Sequence, residues 1–506
     1  MGKGGSVSGK EDSAMSQAAP VNSGAVAWPD MASARAAVAR MQTKLHRWAG
    51  EDISCRFGDL FNLVYSPAFL VVAWQRVSSS TGARTAGVDG LTVGQVVKDT
   101  GVEAFLDQIR TAVRAGGFDP APVRQVKIPK AGGKFRTLGI STVADRVVQA
   151  SLKLVLEPIF EADFQPCSYG FRPNRRTHDA IAEIQMLATH GYHWVVEADV
   201  RACFDELGHT PILDRLRHRI KDKRVVALVR AFLKTGVMTT LGDREGTPTG
   251  TPQGAILSPL LANIALSALD DHFMTRWRQD MGTQVQRAKR RRHGVANYKL
   301  IRFADDFVVI VHGERQHAEA LRGQLAELLA PLGLQLSEAK TRVAHIDEGF
   351  DFLGIHIRRQ RKRGTEKFYV YTKPSKKSIK EVKRKVSVAT YRSARHQPVE
   401  EMIDEVGQVL RGWANYHRHG VSKNVFAAVD SHAWWRLVSW LRRKYKRKRS
   451  RIGMKEVRRR FCDRGWRLAH NGTVFTGAAS VKVTRYRYRG DRIPTPWATR
   501  PAAGNG

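Results

Sequence analysis

The segment YKLIRFADDFVVIVHG contains two runs of mostly β-branched, aliphatic and aromatic residues that are separated by a few polar ones. This pattern predicts two strands, Leu300–Phe303 and Phe307–Val311, joined by a tight turn that carries Asp305 and Asp306. Similar β-branched runs alternate with helical stretches over about residues 108–357. We therefore expect a mixed region of strands and helices around this hairpin.

Another predicted strand with a buried pattern, Trp194–Ala198, ends directly before Asp199 in HWVVEADVRACFDELGH. Two strand ends that each carry a carboxylate can hold Mg²⁺, which prefers hard oxygen ligands. Two such ions about 3.5–4 Å apart can activate an attacking hydroxyl and stabilise a leaving phosphate group. Adjacent aspartates in a hairpin turn are also ordinary turn chemistry. The aspartates alone therefore leave a metal site and a simple turn both open.

The charge balance points to an anionic partner. The 506 residues include 84 Lys and Arg against 47 Asp and Glu, a formal net charge of +37. Such a field suits a nucleic-acid backbone. An anionic membrane surface is the alternative, but the basic residues are interleaved with aromatic and apolar ones. We expect no membrane partner, because the longest apolar run, Ala68–Trp74, is too short to span a bilayer.

The four cysteines form no CxxC pair, so neither a disulfide framework nor a zinc ribbon is indicated. A reducing, cytoplasmic compartment fits this pattern. A chain of this length exceeds the size at which one core stops growing, so several domains are expected. The expected parts are a disordered leader (1–24), a helical N-terminal region (25–107), the mixed region (108–357), a helical basic region (358–470) and a basic C-terminal tail (471–506).

Six segments occur in a characteristic order: VRQVKIPKAGGKFRTLGISTVADRVVQASLKLVLEPIFEADFQPCSYGFRPNRRTHDAI, EADVRACFDELGH, GTPQGAILSPLLANIAL, FADD, LSEAKTRV and GFDFLGI. The segments and their order resemble those of the reverse transcriptase–maturases encoded by bacterial group II introns, and the resemblance covers roughly residues 28–455. The resemblance implies an α+β fold of the right-hand polymerase type, with fingers and palm, followed by an α-helical thumb and maturase domain.

The resemblance implies that Asp199, Asp305 and Asp306 form a metal-binding triad for two Mg²⁺ ions, with Asp199 and Asp305 as the stronger candidates for direct ligands. Val200, next to Asp199, is included in the metal-binding set. Lys340, in LSEAK, falls where polymerases of this type place a lysine that can protonate the departing pyrophosphate. A solvated lysine in a turn is the alternative interpretation.

Arg136, in GKFR, is similar to the family's arginine that clamps the incoming triphosphate, with Lys134 or Lys130 nearby. A planar guanidinium suits this role because it binds phosphate oxygens through two parallel hydrogen bonds. A solvated basic hairpin is the alternative. Gln253 and Gly254, in PQG, resemble the loop that approaches the templating base pair, although a glycine there also has an ordinary turn explanation.

Phe204, five residues after Asp199, resembles the steric gate whose ring would clash with a ribonucleotide 2′-hydroxyl. An ordinary core aromatic is the alternative. In the C-terminal third, apolar residues at helical spacing predict a small helical bundle. A dense basic run follows, and we expect it to bind structured RNA with strong salt dependence. Its residues are Arg442, Arg443, Lys444, Lys446, Arg447, Lys448 and Arg449.

These features predict an RNA-directed DNA polymerase that binds group II intron RNA, assists its splicing and reverse-transcribes it during intron mobility. The expected partners are the intron RNA, an RNA template with a DNA primer, deoxynucleoside triphosphates and a DNA target site. Many relatives continue into an HNH endonuclease domain with paired CxxC motifs. This sequence contains no such motifs, so no intrinsic DNA cleavage is expected here. The alternatives are a splicing chaperone without polymerisation, a reverse transcriptase of phage defence or DNA repair, and an RNA-directed RNA polymerase, which Phe204 disfavours.

Overall fold

The computed structural model describes residues 26–129, 135–238, 244–446, 451–491 and 493–498. Its α-helices are α1 (Met31–Glu51), α2 (Phe61–Val64), α3 (Pro67–Ser78), α4 (Val93–Gln95), α5 (Val102–Arg114), α6 (Val143–Asp163), α7 (Thr177–Thr189), α8 (Cys203–Glu206), α9 (His209–Arg219), α10 (Lys223–Lys234), α11 (Ser258–Thr275), α12 (Gln284–Arg292), α13 (Arg315–Leu329), α14 (Lys376–Ala389), α15 (Val399–His417), α16 (Lys423–Lys444) and α17 (Met454–Phe461).

Its strands are β1 (Val123–Pro129), β2 (Phe135–Ile140), β3 (Trp194–Asp199), β4 (Val237–Met238), β5 (Arg244–Glu245), β6 (Asn297–Phe303), β7 (Asp306–His312), β8 (Arg342–His345), β9 (Phe350–Phe352), β10 (Ile355–Arg361), β11 (Phe368–Pro374), β12 (Ala469–His470) and β13 (Thr473–Val474). The predicted hairpin is confirmed as β6 and β7, although Asp306 begins β7 instead of lying in the turn. The predicted strand before Asp199 is confirmed as β3, which extends by one residue to include Asp199.

The N-terminal helices pack on α6, which is buried along most of its length. Helix α1 begins after Asp30, whose carboxylate accepts hydrogen bonds from the first free backbone N–H groups. One apolar stripe of α1, including Val38 and Leu45, is buried against this layer. Complete burial of a side chain such as Leu45 stabilises the fold by about 1.5–3 kcal/mol.

A central sheet with the order β6–β7–β3–β8 is covered on both faces. Along β7, Val309 and Val311 belong to the core formed with α6 and α11. Val308 and Ile310 point the other way, into a second core that includes α7 and β9–β11. Burial on both faces explains why this strand is continuously apolar in sequence. The carboxylate-bearing ends of β3 and β7 lie at the same edge of this sheet.

A smaller sheet has the order β2–β1–β4–β5, and its strands come before β3 and between β3 and β6 in sequence. Strands β1 and β2 pair in antiparallel register from Arg124 and Ile140 to Pro129 and Phe135. Phe135 lies in the last pair before the connection between the two strands, and it is 63% exposed. The hairpin therefore projects an exposed end away from the core, and the residues that connect its strands lie outside the described ranges.

The C-terminal helices α14–α17 enclose a hydrophobic core of their own. Leu410 of α15 and Val438 and Leu441 of α16 are buried in it, and Trp413 and Trp434 pack at its margin. The predicted helical bundle with an apolar inner face is therefore observed. No helix within the described ranges combines the length and apolarity needed to cross a membrane.

The C-terminal segment 481–498, in its described part, runs back from this bundle across helix α7 to α1. Arg489 forms an ion pair with Asp179 in the first turn of α7. Further on, the Asn174 side chain donates to the Pro494 carbonyl over 3.0 Å, and Trp497 Nε1 donates to Gln42 of α1 over 3.3 Å. The region that the sequence suggested only as a basic tail thus makes specific contacts with two distant parts of the fold.

Candidate functional site

Three carboxylates meet at the edge of the central sheet. Asp199, the last residue of β3, and Asp306, the first residue of β7, are direct partners in the antiparallel ladder. Opposite residues in such a ladder project to the same face, with Cβ atoms about 4.5–5.5 Å apart. Asp305 lies beside them in the turn from β6, where Ala304 has a left-handed φ of 59°. The fold therefore brings all three predicted aspartates together.

The charges of these carboxylates act on one another. Although Asp306 is exposed, desolvation of its carboxyl, followed by the charges of Asp305 and Asp199, raises its pKa to about 6. The ammonium groups of Lys340 and Lys377 oppose this rise in pKa. Carboxylates that raise each other's pKa form a site where a bound cation is favoured. Lys377, in the first turn of α14, was not singled out from the sequence.

Lys340 lies directly at this site. Its Nζ donates to Asp199 Oδ2 over 2.7 Å, and its side chain is 68% exposed. The loop that carries it is fixed to β3, because the Ser337 N–H donates to the Asp199 carbonyl over 2.7 Å. Val200 forms an isolated bridge with Leu336 of the same loop, and its side chain is buried. Only the backbone carbonyl of Val200 is therefore chemically suited to bind a metal.

The donor chemistry of the three aspartates fits Mg²⁺, since all of their oxygens are hard, anionic ligands. Within the described ranges, no three His, Cys, Asp or Glu side chains are gathered closely enough to hold a metal ion as they stand. The Lys340 ammonium group lies against one oxygen of this set, Asp199 Oδ2.

A buried arginine, Arg302, holds the turn that carries Asp305 and leads into Asp306. Its guanidinium is fully buried and forms an ion pair with the buried carboxylate of Asp270 in α11. It also donates to the Ala304 carbonyl over 2.9 Å, which fixes the residue directly before the two aspartates. One sequence signal points to this role: Arg302 is the charged residue within the predicted strand Leu300–Phe303.

Two further contacts of Arg302 tie distant segments to the same turn. One terminal nitrogen donates to Asn263 Oδ1 over 2.9 Å, and the other donates to Ser168 Oγ over 2.8 Å. The backbone N–H of Tyr169 donates to the Arg302 carbonyl over 2.8 Å. A side chain at Gly170 would collide with the Ala304 backbone, so the SYG segment packs tightly against the turn. These contacts together make the turn a rigid part of the core.

The GTPQG loop packs against the segment that follows β3. Thr251 N–H donates to the Phe204 carbonyl over 2.7 Å, and Gly250 N–H donates to the Leu207 carbonyl over 2.8 Å. Gly250 has a φ of 82°, and a Cβ atom there would lie 2.5 Å from the Asp205 carbonyl oxygen. Only glycine fits this close approach. The loop is thereby held beside the end of β3, which carries Asp199.

Three predicted nucleotide-binding residues are joined through one glutamine. Arg136 Nε donates to Gln253 Oε1 over 2.8 Å, and Gln253 Nε2 donates to Asp205 Oδ2 over 3.2 Å. The Gly139 N–H also donates to the Gln253 carbonyl over 2.8 Å, and Gly254 beside it has a φ of 107°. Strand β2, the PQG loop and helix α8 are therefore connected. The sequence did not single out Asp205 as a site residue, because no local pattern indicates its hydrogen bond with Gln253.

The comparisons with known proteins identify the family. Residues 128–357 match the family described as "Reverse transcriptase (RNA-dependent DNA polymerase)", and residues 379–461 match "Group II intron, maturase-specific domain". Protein YkfC of Escherichia coli (strain K12) is 36% identical over 362 residues, which cover 67% of this chain and 93% of YkfC. The chain belongs to the group II intron-encoded reverse transcriptase and maturase family. By class it is an RNA-directed DNA polymerase.

Two more distant similarities complete the comparison. The group II intron-encoded protein LtrA of Lactococcus lactis subsp. cremoris is 30% identical over 362 residues, which cover 63% of this chain and 59% of LtrA. A solved structure of telomerase from Candida albicans, in complex with a telomeric RNA fragment, aligns with a TM-score of 0.37 and 13% identity over 68% of this chain and 64% of that chain. The telomerase likeness is too low to carry an argument about this reverse transcriptase.

Phe204 lies in the short helix α8, which begins after Ala202 at a left-handed φ of 40°. Its ring is half-buried and packs on the edge of the large core. This position leaves part of the ring accessible beside the PQG loop, while the rest contributes to packing. Lys130 and Lys134 lie outside the described residues.

The basic run of the maturase-specific domain divides into two groups. Arg442 Nε donates to the Ile452 carbonyl over 2.9 Å, and Lys444 Nζ donates to the carbonyls of Arg395 and Gln397, each over 2.8 Å. These two side chains stabilise their own domain. Lys446 is exposed. The remaining predicted residues, Arg447, Lys448 and Arg449, lie outside the described ranges.

Arg443 belongs to a cluster of arginines from several segments. Desolvation, together with the charges of neighbouring arginines, lowers the pKa of its guanidinium. These neighbours are Arg436, Arg451, Arg392 and Arg395. Arg392 and Arg395 precede α15 and are distant from the basic run in sequence, which explains why they were missed. The cluster concentrates positive charge at one place on the maturase-specific domain.

Proposed function

We propose that this reverse transcriptase extends a DNA primer on an RNA template at the Asp199, Asp305 and Asp306 site. The observation that carries this proposal is the register of β3 and β7, which sets Asp199 opposite Asp306 with Asp305 in the adjoining turn. The same chain binds group II intron RNA, assists its splicing and copies that RNA during intron mobility. This assignment follows from the reverse transcriptase and maturase-specific matches taken together.

Asp199, Asp305 and Asp306, with the Val200 carbonyl, would hold two Mg²⁺ ions, which when bound help to activate the primer 3′-hydroxyl and to stabilise the leaving pyrophosphate. Lys340 then leaves Asp199 and places its ammonium group where it can donate a proton to the pyrophosphate oxygen. Its exposure and its position at the end of a fixed loop support this movement.

The remaining residues position the substrate. Arg136, with Lys130 or Lys134, binds the triphosphate of the incoming nucleotide, and Gln253 orients its guanidinium through Nε. Gln253 and Gly254 bring the loop backbone towards the templating base pair. Phe204 places its ring against the 2′ position of the sugar and so selects deoxynucleotides. The nucleotide would then lie between β2, the PQG loop and α8, which already contact one another.

We propose fingers and palm over residues 108–357, after the N-terminal helical region, and a thumb and maturase domain over residues 358–470. The arginine cluster around Arg443 is the proposed contact with intron RNA, because concentrated guanidinium groups bind phosphates strongly. Proposed further partners are a DNA target site and deoxynucleoside triphosphates. The proposed location is the bacterial cytoplasm, since the relatives YkfC and LtrA come from bacteria.

Primer extension on an RNA template with Mg²⁺ and deoxynucleotides tests this proposal. Asp305→Ala should abolish extension and largely preserve RNA binding, since catalysis needs the carboxylate and docking does not. Asp280→Ala is the matched control, because Asp280 is an aspartate that pairs only at the surface with Arg276. Substantial extension by the Asp305→Ala variant would refute the site. A folded wild type that binds structured RNA but extends nothing would favour a splicing chaperone.

A further inference from the structure

A groove lies between the C-terminal segment and the central domain, separate from the aspartate site. One wall is residues 483–488 of the C-terminal segment, and the other consists of the second half of α7 and strand β11. Two adjoining cavities of about 410 and 650 Å³ form the groove and share lining residues. The sequence of this wall, TRYRYRG, alternates arginines with tyrosines.

The lining of the groove combines aromatic faces with positive charge. Tyr369 and Tyr488 are 45% and 37% exposed, respectively, although each is a large aromatic residue. Arg485, Arg487 and Lys362 add cationic side chains to the same groove. Among the described residues that line it, none is acidic. An anionic ligand with flat, stackable groups therefore matches the groove in both charge and shape.

The wall that carries the arginines is firmly held in place. The Tyr486 hydroxyl donates to Asp179 Oδ1 over 2.9 Å, and Arg489 pairs with the same carboxylate. On either side, Thr484 N–H donates to the Arg418 carbonyl over 3.0 Å and Lys299 pairs with Asp491 over 3.2 Å. A groove whose walls are fixed before a ligand arrives loses less entropy on binding.

The position of the groove separates it from polymerisation. His190, which lines it, lies just before β3, whereas Asp199 ends that strand. A strand of this length spans roughly 20 Å. None of the arginines in the cluster around Arg443 lines the groove. The groove is thus a separate region of positive charge, with its own aromatic surface.

We propose that this groove binds single-stranded nucleic acid, with the phosphates on Arg485 and Arg487 and unpaired bases stacked on Tyr369 and Tyr488. Stacking platforms beside cationic tracks are the usual means of holding unpaired strands without sequence preference. A duplex keeps its bases stacked inside and presents no face to these rings. Binding in the groove does not depend on catalysis at the aspartates.

The test uses the full chain with its polymerase cleft filled by unlabelled primer and template. Fluorescein-labelled single strands of RNA and DNA, 12 nucleotides long by design, and the corresponding duplex are then titrated by anisotropy. Arg485→Gln/Arg487→Gln should weaken single-strand binding about tenfold and reduce the slope of log affinity against log salt by about 1.4. Tyr369→Leu should weaken it to a similar extent through lost stacking.

Arg315→Gln/Arg322→Gln, on the surface of α13, is the matched control and should change neither affinity nor slope. Single-nucleotide incorporation, measured on the same samples, should be equal in all variants, so a failed polymerase is distinguishable from an absent groove site. Tighter binding of either RNA or DNA strands than of duplex supports the proposal and identifies the preferred strand. Unchanged affinity and salt slope in the double variant, or preference for the duplex, would overturn it.

Discussion

Replacement of Arg302 by leucine tests whether the core holds the turn that carries Asp305 in position. Arg302 donates hydrogen bonds to Asp270, Asn263, Ala304 and Ser168, and both members of its ion pair are fully buried. Removal of one partner leaves the Asp270 carboxylate buried without compensation, which costs about 3–5 kcal/mol of unfolding free energy. Arg302→Leu should therefore be strongly destabilising. The unfolding free energy is measured by urea denaturation.

The double variant Arg302→Leu/Asp270→Leu separates stability from positioning. It removes both buried charges, so it should recover at least about 2 kcal/mol of the loss, although the Ala304 carbonyl and Asn263 remain without their donor. Its activity should stay low, because the residue before Asp305 is no longer fixed. A misplacement of about 1 Å at a reacting centre can lower the rate about 100-fold.

Single-nucleotide incorporation gives kcat and KM for these variants at a temperature where each remains folded. The expected result for the double variant is a large loss in kcat with a smaller change in the nucleotide KM. Arg276→Leu is the control, because the exposed pair of Arg276 and Asp280 should contribute less than about 1 kcal/mol. A double variant with restored stability and wild-type kcat would refute the positioning role of Arg302.

The remaining predictions concern substrate selection, proton transfer and RNA binding. Phe204→Val should admit ribonucleotides in primer extension, and unchanged discrimination would show that the ring is only a packing residue. Lys340→Ala should lower kcat about 100-fold or more with little effect on RNA binding; a wild-type kcat would leave Lys340 as a solvated turn residue. Arg443→Gln/Arg395→Gln should weaken binding of structured RNA and flatten its salt dependence, whereas Lys446→Gln alone should have a small effect. An unaltered salt slope would place the RNA elsewhere.

The sequence was most informative where function depends on short segments. Asp199, Asp305 and Asp306 stand at the ends of apolar runs, and such runs can be recognised as strands because strand periodicity is a local property. The order of the motifs then predicted that these strand ends meet at one edge of a sheet. Lys340, which the resemblance singled out, lies against Asp199, and its role as a proton donor stays a prediction. Arg136, Gln253 and Gly254 were also found close together.

Contacts between residues distant in sequence could not be predicted in this way. Arg302 contacts Ser168, which is 134 residues away, and one charged residue in a strand does not reveal its partner. In the basic run, Arg442 and Lys444 look like their neighbours in sequence, yet their donors are bound to carbonyls of their own domain. The packing of Arg489 on Asp179 likewise depends on tertiary structure that composition does not record.

Metal binding at the triad is the most direct test of the proposed active site. Mn²⁺, a paramagnetic substitute for Mg²⁺, is titrated by electron paramagnetic resonance with an RNA template, a 3′-deoxy-terminated DNA primer and a deoxynucleotide, and the same mixture without protein is subtracted. Two protein-dependent ions per chain should bind to the wild type and to the control Asp280→Asn, and Asp305→Asn should lose at least one of them. An identical number of bound ions and identical affinity in Asp305→Asn would contradict the assignment of these carboxylates as the polymerase metal site.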